Sequence, residues 1–95
     1  MFSLPFASWL RSPGRRLAQL RFQVLAALQG CEGVISERIR WRIADTNSAH
    51  DLWLLRGRIF QQVANQFCQE EAVRRINALL PAFSGWLPAR MLRPL

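Results

Sequence analysis

The chain has 95 residues, of which 51% are apolar, and its basic residues outnumber its acidic residues by seven. This length suits one small domain with a modest core, and the positive charge favours anionic partners such as nucleic acid, lipid headgroups or an acidic protein. Two cysteines are too few for a disulfide scaffold, and no apolar run is long enough to cross a membrane, so neither a disulfide-rich fold nor an integral membrane protein is predicted.

The amino-terminal segment, MFSLPFASWLRSPGRR, places its apolar residues before its arginines. A secretory signal has the opposite order, so export is not predicted and a cytoplasmic location is expected. The segment also supports one alternative function, peripheral attachment to a membrane surface through an apolar wedge and a basic contact with the headgroups. The residues of this alternative are Phe2, Phe6, Trp9, Arg11, Arg15 and Arg16.

A first full helix is predicted from Arg15 to about Gln29, after a turn at residues 12–14, Ser-Pro-Gly. Its apolar residues recur at steps of three and four, as the core face of a helix requires. They are Leu17, Leu20, Val24, Leu25 and Leu28. Gly30 suits the left-handed position just beyond the end of this helix.

Residues 34–44, VISERIRWRIA, fit both a helix and a strand. As a helix the segment aligns three isoleucines at four-residue steps, pairs Glu37 with Arg40, and places Arg38 beside Arg42 while Arg40 points elsewhere. As a strand it places an Ile-Trp-Ile face opposite a ladder of all three arginines. The chain has no second strand-like segment that could pair with this backbone, so the helix is favoured.

The longest helix is predicted to begin at Ser48, which forms a capping box with Asp51, and to continue to about residue 67. Its apolar stripe consists of Leu52, Ile59, Phe60, Val63 and Phe67. Trp53 flanks the stripe and Arg56 falls inside it. The arginine is therefore expected either to extend its stem toward solvent or to meet a carboxylate at a helix contact.

The phase of the apolar stripe slips around Cys68, which predicts a break before a further helix. The apolar residues of that helix are Ala72, Val73, Ile76, Leu79, Leu80 and Phe83. Two carboxylate–arginine pairs at four-residue spacing are expected to support it, Glu70 with Arg74 and Glu71 with Arg75.

The carboxy-terminal tail contains prolines that exclude a regular helix, and Trp86 and Leu87 are expected to pack back on the core. The fold class predicted for the chain is all-α, a small bundle of about four helices with a short amino-terminal turn of helix and a proline-containing tail. Residues 1–95 are expected to form one domain, with less regular ends at 1–14 and 84–95.

No group of residues predicts catalysis. His50 is the only histidine, it has no nucleophile motif beside it, and it is expected to be a solvated residue at a helix start. There is no glycine-rich phosphate loop and no cluster with metal-ligand spacing. Cys31 and Cys68 are expected to be small buried residues. We therefore expect a protein that is not an enzyme and binds no cofactor, metal or small-molecule substrate.

The composition instead favours a module for protein–protein interaction, because tryptophan and arginine are enriched at the centres of interfaces. A small bundle with four tryptophans is not expected to bury them all, and pairing of two copies into a homodimer is the simplest way to cover the rest. Trp53 and Arg56 are the predicted contacts with a partner.

The alternative is a regulator that binds DNA or RNA, in one of two outlines. Residues 61–79, QQVANQFCQEEAVRRINAL, resemble a helix-turn-helix, although Cys68 stands where the turn usually has glycine. Residues 37–44, ERIRWRIA, with the helices that follow, resemble ribbon-helix-helix repressors in the order of their elements. The arginines of this alternative are Arg38, Arg40, Arg42, Arg74 and Arg75.

Overall fold

A computed structural model describes residues 13–95, and the regular secondary structure in this part of the chain is helical. The helices are α1 (Pro13–Ala26), α2 (Val34–Asp45), α3 (Ala49–Leu54), α4 (Arg56–Gln66), α5 (Gln69–Ala78) and α6 (Leu80–Phe83), followed by a 3-10 turn at Ala89–Met91. The predicted all-α bundle is therefore confirmed.

The first helix begins earlier than the sequence suggested. Pro13 and Gly14 lie in the first turn of α1, so the predicted turn at residues 12–14 is wrong. Proline is tolerated there because its missing N–H has no partner in the first turn of a helix. After α1 the chain reverses at Gly30, whose φ of 83° confirms the predicted left-handed position.

The ambiguous segment is helical. Residues 34–45 form α2, with Ser36, Ile39 and Ile43 buried. Arg40 Nη1 donates to Glu37 Oε2 at 2.7 Å, as the helical reading predicted. The strand alternative for these residues, and with it the intermolecular ribbon, is therefore wrong.

Two long-range hydrogen bonds show that α1 and α2 run antiparallel. Arg21 Nε, in the middle of α1, donates to the carbonyl oxygen of Thr46 at 2.8 Å, just after α2 ends. Arg40 Nη2, in the middle of α2, donates to the carbonyl oxygen of Leu28 at 3.1 Å, just after α1 ends. These two hydrogen bonds hold α2 alongside α1.

The predicted long helix is two helices, because the chain breaks at Leu55. Ser48 is the predicted cap, and its Oγ accepts from the backbone N–H of Asp51 at 3.1 Å. The helix it opens, α3, ends at Leu54. A projection that assumes one continuous helix therefore assigns the wrong face to residues of α3, Trp53 among them.

The break near Cys68 is confirmed, but the cysteine is exposed and so is not the buried residue that was predicted. Its sulfur accepts from the backbone N–H of Glu71 at 3.4 Å and caps α5. A second break follows at Leu79, before Pro81. Proline has no N–H and would clash with the carbonyl four residues earlier, so Pro81 occurs in the first turn of the new helix α6 and not inside α5.

The core forms where the helices meet. The largest contact is between α4 and α5, while α1 packs against α2, α3 and α6, and α2 packs against α4. The largest fully buried apolar side chains are Val24, Leu28, Ile43, Leu52, Ile59, Val63 and Phe83. Trp86 and Leu87 lie against this cluster. Across residues 13–95, every helix is too short or too polar to traverse a bilayer.

Replacing Gly30 with alanine should destabilise the fold. The added Cβ would lie 2.9 Å from Phe67 Cζ, and a left-handed φ costs a residue with a Cβ about 1–2 kcal/mol. We expect the free energy of unfolding to fall by about 2 kcal/mol, measured by urea unfolding followed by circular dichroism. Gly57→Ala is the matched control, because that glycine lies in α4 with open space around it. Equal losses in the two variants would contradict this prediction.

Candidate functional site

Most arginines of the described chain hold the fold together. Arg21, Arg40, Arg56 and Arg75 donate to backbone carbonyl oxygens, Arg74 donates to a carboxylate, and Arg16 lies over the ring of Trp86 at 5.0 Å. Their guanidinium groups therefore have internal partners. This observation divides the predicted site residues into structural ones and ones that remain available to another molecule.

Trp53 is part of the core and cannot contact a partner, which corrects its predicted role. It is 3% exposed, and its ring packs on Phe83 with a centroid distance of 4.9 Å. Arg56 covers the outer face of the indole, with Cζ 4.3 Å from the ring centroid, and donates to the carbonyl oxygen of Trp53 at 2.9 Å. Arg56 therefore does not simply extend into solvent, and it does not contact a carboxylate as predicted. Its main contacts are with Trp53 and stabilise the end of α3.

Glu71 binds two of the arginines that were predicted to contact nucleic acid. Arg74 Nε donates to Glu71 Oε1 at 2.9 Å and Arg75 Nε donates to Oε2 at 2.7 Å. The predicted pair Glu71 with Arg75 is confirmed, while the pair Glu70 with Arg74 is wrong, since Arg74 turns toward the residue three positions back. Hydrogen bonds from Arg74 and then Arg75 lower the pKa of Glu71 to about 2, and the same contact raises the pKa of Arg74.

Arg75 also joins α5 to the end of α1. Its Nη1 donates to the carbonyl oxygens of Ala27 at 3.1 Å and Gln29 at 2.7 Å, and its Cζ lies 4.8 Å from the ring centroid of Phe67. The side chain is only 15% exposed. Arg75 is therefore a structural residue and is not free to read a nucleic acid.

Within residues 13–95, five arginines have guanidinium groups that form no hydrogen bond, ion pair or ring contact: Arg38, Arg42, Arg58, Arg90 and Arg93. Three of them, Arg38 and Arg42 from α2 and Arg58 from α4, line one groove between these helices. The groove has a volume of about 510 Å³, and no acidic residue lines it. The structure therefore brings together two of the five arginines predicted for nucleic acid and adds Arg58, which sequence reasoning missed.

An exposed surface of α2 continues from this groove. We define it as the outward face of α2, which consists of Val34, Arg38, Trp41 and Arg42. These residues recur at steps of three and four on the side opposite the buried residues of α2, and all four are exposed. Trp41 is 70% exposed. An exposed tryptophan beside two arginines without internal partners is the side-chain combination expected at the centre of a protein interface.

A polar network lies beside the groove, and Gln62 is the member of it that lines the groove. Ser36 Oγ donates to Gln62 Oε1 at 3.0 Å, and Gln66 Nε2 donates to the same oxygen at 3.0 Å. Gln66 is in turn held by the backbone of Glu32, whose N–H donates to Oε1 at 2.7 Å and whose carbonyl oxygen accepts from Nε2 at 2.8 Å. The network connects α2, α4 and the loop after α1.

Of the residues predicted for membrane attachment, the structure describes Arg15 and Arg16, which lie on α1 and do not line this groove. Phe2, Phe6, Trp9 and Arg11 of the membrane alternative fall outside the described residues, and Arg15 is half-buried in α1. His50 is exposed near the start of α3. Within residues 13–95, no three His, Cys, Asp or Glu side chains are placed to share a metal ion.

Comparison with protein-family models, curated proteins and solved structures finds no match for this chain.

The residues of the groove that were missed do have a signal in the sequence. Arg58, Gln62 and Asn65 recur at steps of four and three, which marks a polar stripe beside the apolar stripe of α4. An ordinary solvated helix face shows the same pattern, so the sequence alone does not identify this stripe as part of a groove. That position is evident only once α2 is known to lie beside α4.

Replacing Arg75 with alanine should lower the free energy of unfolding by about 3 kcal/mol, because two carbonyl oxygens and a carboxylate lose a charged donor. Arg74→Ala is the matched control. Its side chain is 69% exposed, so its loss should cost less than about 1 kcal/mol. Thermal and urea unfolding of both variants measure the difference, and similar losses would show that Arg75 does not anchor α5.

The stabilising effect of Glu71 should disappear in acid. The pKa of Glu71 in the folded protein, about 2, lies below the ordinary glutamate value of 4.5. Its contribution to stability is therefore complete above the unfolded pKa and is lost as pH falls from there through the folded pKa. The melting temperature of Glu71→Gln should therefore lie below that of the original chain at neutral pH and approach it as pH falls toward 2. Glu70→Gln, which removes an exposed neighbouring carboxylate, should show no such convergence.

Proposed function

We propose that the chain is a non-enzymatic, cytoplasmic protein-interaction module that binds an acidic partner protein through the outward face of α2. The observation that carries the proposal is that exposed Trp41 shares one helix face with Arg38 and Arg42, whose guanidinium groups have no internal partners. The indole supplies apolar area, and the guanidinium groups supply hydrogen bonds with charge selectivity. This surface replaces Trp53 and Arg56 as the predicted contact.

The apolar residues of this surface favour a protein partner over a nucleic acid. Val34 and Ile35 are exposed beside the arginines, and aliphatic side chains gain little from a phosphate backbone, whereas they pack well against an apolar residue of a protein. Nucleic-acid interfaces are also dominated by basic and polar contacts to phosphate. A nucleic acid is the second candidate, supported by Arg38, Arg42 and Arg58 lining one groove.

Charge also favours a different protein over a second copy of the chain. A two-fold axis brings the same surface of both copies together. Each copy carries a formal net charge of +7, and an antiparallel pairing of the two α2 faces would bring the edges with Arg38 and Arg42 side by side. Like charges placed together at an interface oppose association. The homodimer stays an untested prediction, and an acidic partner removes this repulsion.

The test uses the full chain and a fluorescein-labelled helical peptide of glutamate and leucine, with binding followed by fluorescence anisotropy. Trp41→Ala should weaken binding about tenfold or more, as expected for an aromatic residue at the centre of an interface. Its melting temperature should not change, because the ring is exposed. Leu54→Ala is the control, since it removes an exposed apolar side chain from α3, and its binding should stay within about twofold.

Three results would overturn the proposal. The first is the absence of peptide binding at low salt, and the second is equal weakening of binding by Trp41→Ala and Leu54→Ala. The third is tighter binding of labelled duplex DNA with a steep loss of affinity as salt rises, which would favour the second candidate. Sedimentation of the chain alone should give an 11.0 kDa species, whereas a dimer that Trp41→Ala dissociates would show that a second copy occupies this face.

A further inference from the structure

We propose that the groove between α2 and α4 is a carboxylate-binding pocket, which receives an acidic side chain of the partner. This inference rests on the proposed function and assigns a specific subsite to it. The pocket combines Arg38 and Arg42 with Arg58 and Gln62, so two helices contribute to it.

The electrostatics of the groove select an anion. Its three arginines have no counter-charge among the residues that line it. A cleft lined by charge of one sign and bounded by apolar walls concentrates the field inside it. Arginine can also donate two parallel hydrogen bonds to a carboxylate, which gives the site geometric selectivity besides attraction.

Gln62 supplies a neutral donor whose orientation is fixed by the backbone. The N–H of Glu32 must donate and its carbonyl oxygen must accept, so the side-chain oxygen and nitrogen of Gln66 are assigned without ambiguity. Gln66 donates through Nε2 to Gln62, and therefore Oε1 of Gln62 is the atom that faces the network. The amide nitrogen of Gln62 is left for the groove.

This nitrogen is an unused donor in a nearly buried residue. Gln62 is 9% exposed and lines the groove. Within residues 13–95 its Nε2 has no hydrogen-bond partner, and it is not among the side-chain atoms sealed from solvent. A donor that opens onto the groove can donate to an acceptor that a ligand supplies there.

The walls favour a carboxylate on a side chain over an isolated inorganic anion. Ile35 and Ile39 line the groove beside the donors, and they suit the methylene groups that precede a carboxylate. The remaining lining residues, Gln61 and Asn65, carry side-chain amides that can donate to and accept from an adjacent peptide backbone. The exposed Trp41 then packs against apolar neighbours of the acidic residue.

The test titrates the full chain with glutarate, and separately with inorganic phosphate, while the side-chain N–H signals of arginine, glutamine and asparagine are followed by NMR. Glutarate should shift the amide signal of Gln62 and the Nε–H signals of the groove arginines. The double variant Arg42→Gln/Arg58→Gln should bind glutarate at least about tenfold more weakly. Arg90→Gln/Arg93→Gln has the same net charge and should stay within about twofold.

Gln62→Glu separates binding from folding. It keeps an oxygen acceptor for Ser36 and Gln66 and places a second, negative oxygen toward the arginines. We expect glutarate binding to be lost while the melting temperature is unchanged or higher. Equal weakening by the two double variants, or undiminished glutarate binding by Gln62→Glu, would overturn the pocket. Phosphate binding about tenfold tighter than glutarate would also overturn it and indicate a phosphate ligand.

Failure of the pocket and failure of the proposed function are distinguishable with the labelled peptide. Peptide binding that is weakened by Trp41→Ala but not by Arg42→Gln/Arg58→Gln leaves the function in place and removes the pocket. Glutarate binding at Gln62 in a chain that does not bind the peptide leaves the pocket in place and removes the function.

Discussion

The turn that follows α1 is the point on which the rest of the fold depends, because two arginines from other helices bind its carbonyl oxygens. Arg40 of α2 donates to Leu28 and Cys31, and Arg75 of α5 donates to Ala27 and Gln29. The carboxyl end of a helix carries a partial negative charge, so cations are favourable there. The two contacts fix the positions of α2 and α5 relative to α1.

A second, uncharged connection sets the position of α2 relative to α4. The side-chain amide of Gln66 pairs with both backbone groups of Glu32, much as a neighbouring strand would, and continues to Ser36 and Gln62. Because each member of this network has a defined donor or acceptor role, sliding α2 along α4 would leave several polar groups without partners. The groove and the outward face of α2 therefore have one defined geometry.

The sequence predicted local features well. Ser48 with Asp51 identified a helix start through a short-range capping rule, and the four-residue steps of α2 together with the absence of a partner strand identified a helix. Such features depend on residues within one or two turns, so they can be read without the fold. Gly30 belongs to the same class, since a left-handed turn at a helix end needs only one residue type.

The sequence could not predict what each arginine contacts. Arg40 and Arg75 donate to backbone carbonyl oxygens. Every residue has such an oxygen, so the sequence does not show which one an arginine will contact. The break at Leu55 has no proline or glycine before it, and so a continuous projection placed Trp53 beside the apolar stripe and not within the core. Cys68 was expected to be buried because free cysteine is usually a small buried residue, yet here its sulfur caps a helix in the place of a hydroxyl.

The groove has one further property, which comes from the exclusive use of arginine as the basic residue of this chain. A guanidinium group is more weakly hydrated than the ammonium group of lysine, and its flat faces tolerate contact with carbon. Removing water from Arg38, Arg42 and Arg58 is therefore less unfavourable than it would be for three lysines. Such a surface can lose its hydration water when a partner binds, while its charges still attract the partner at short range.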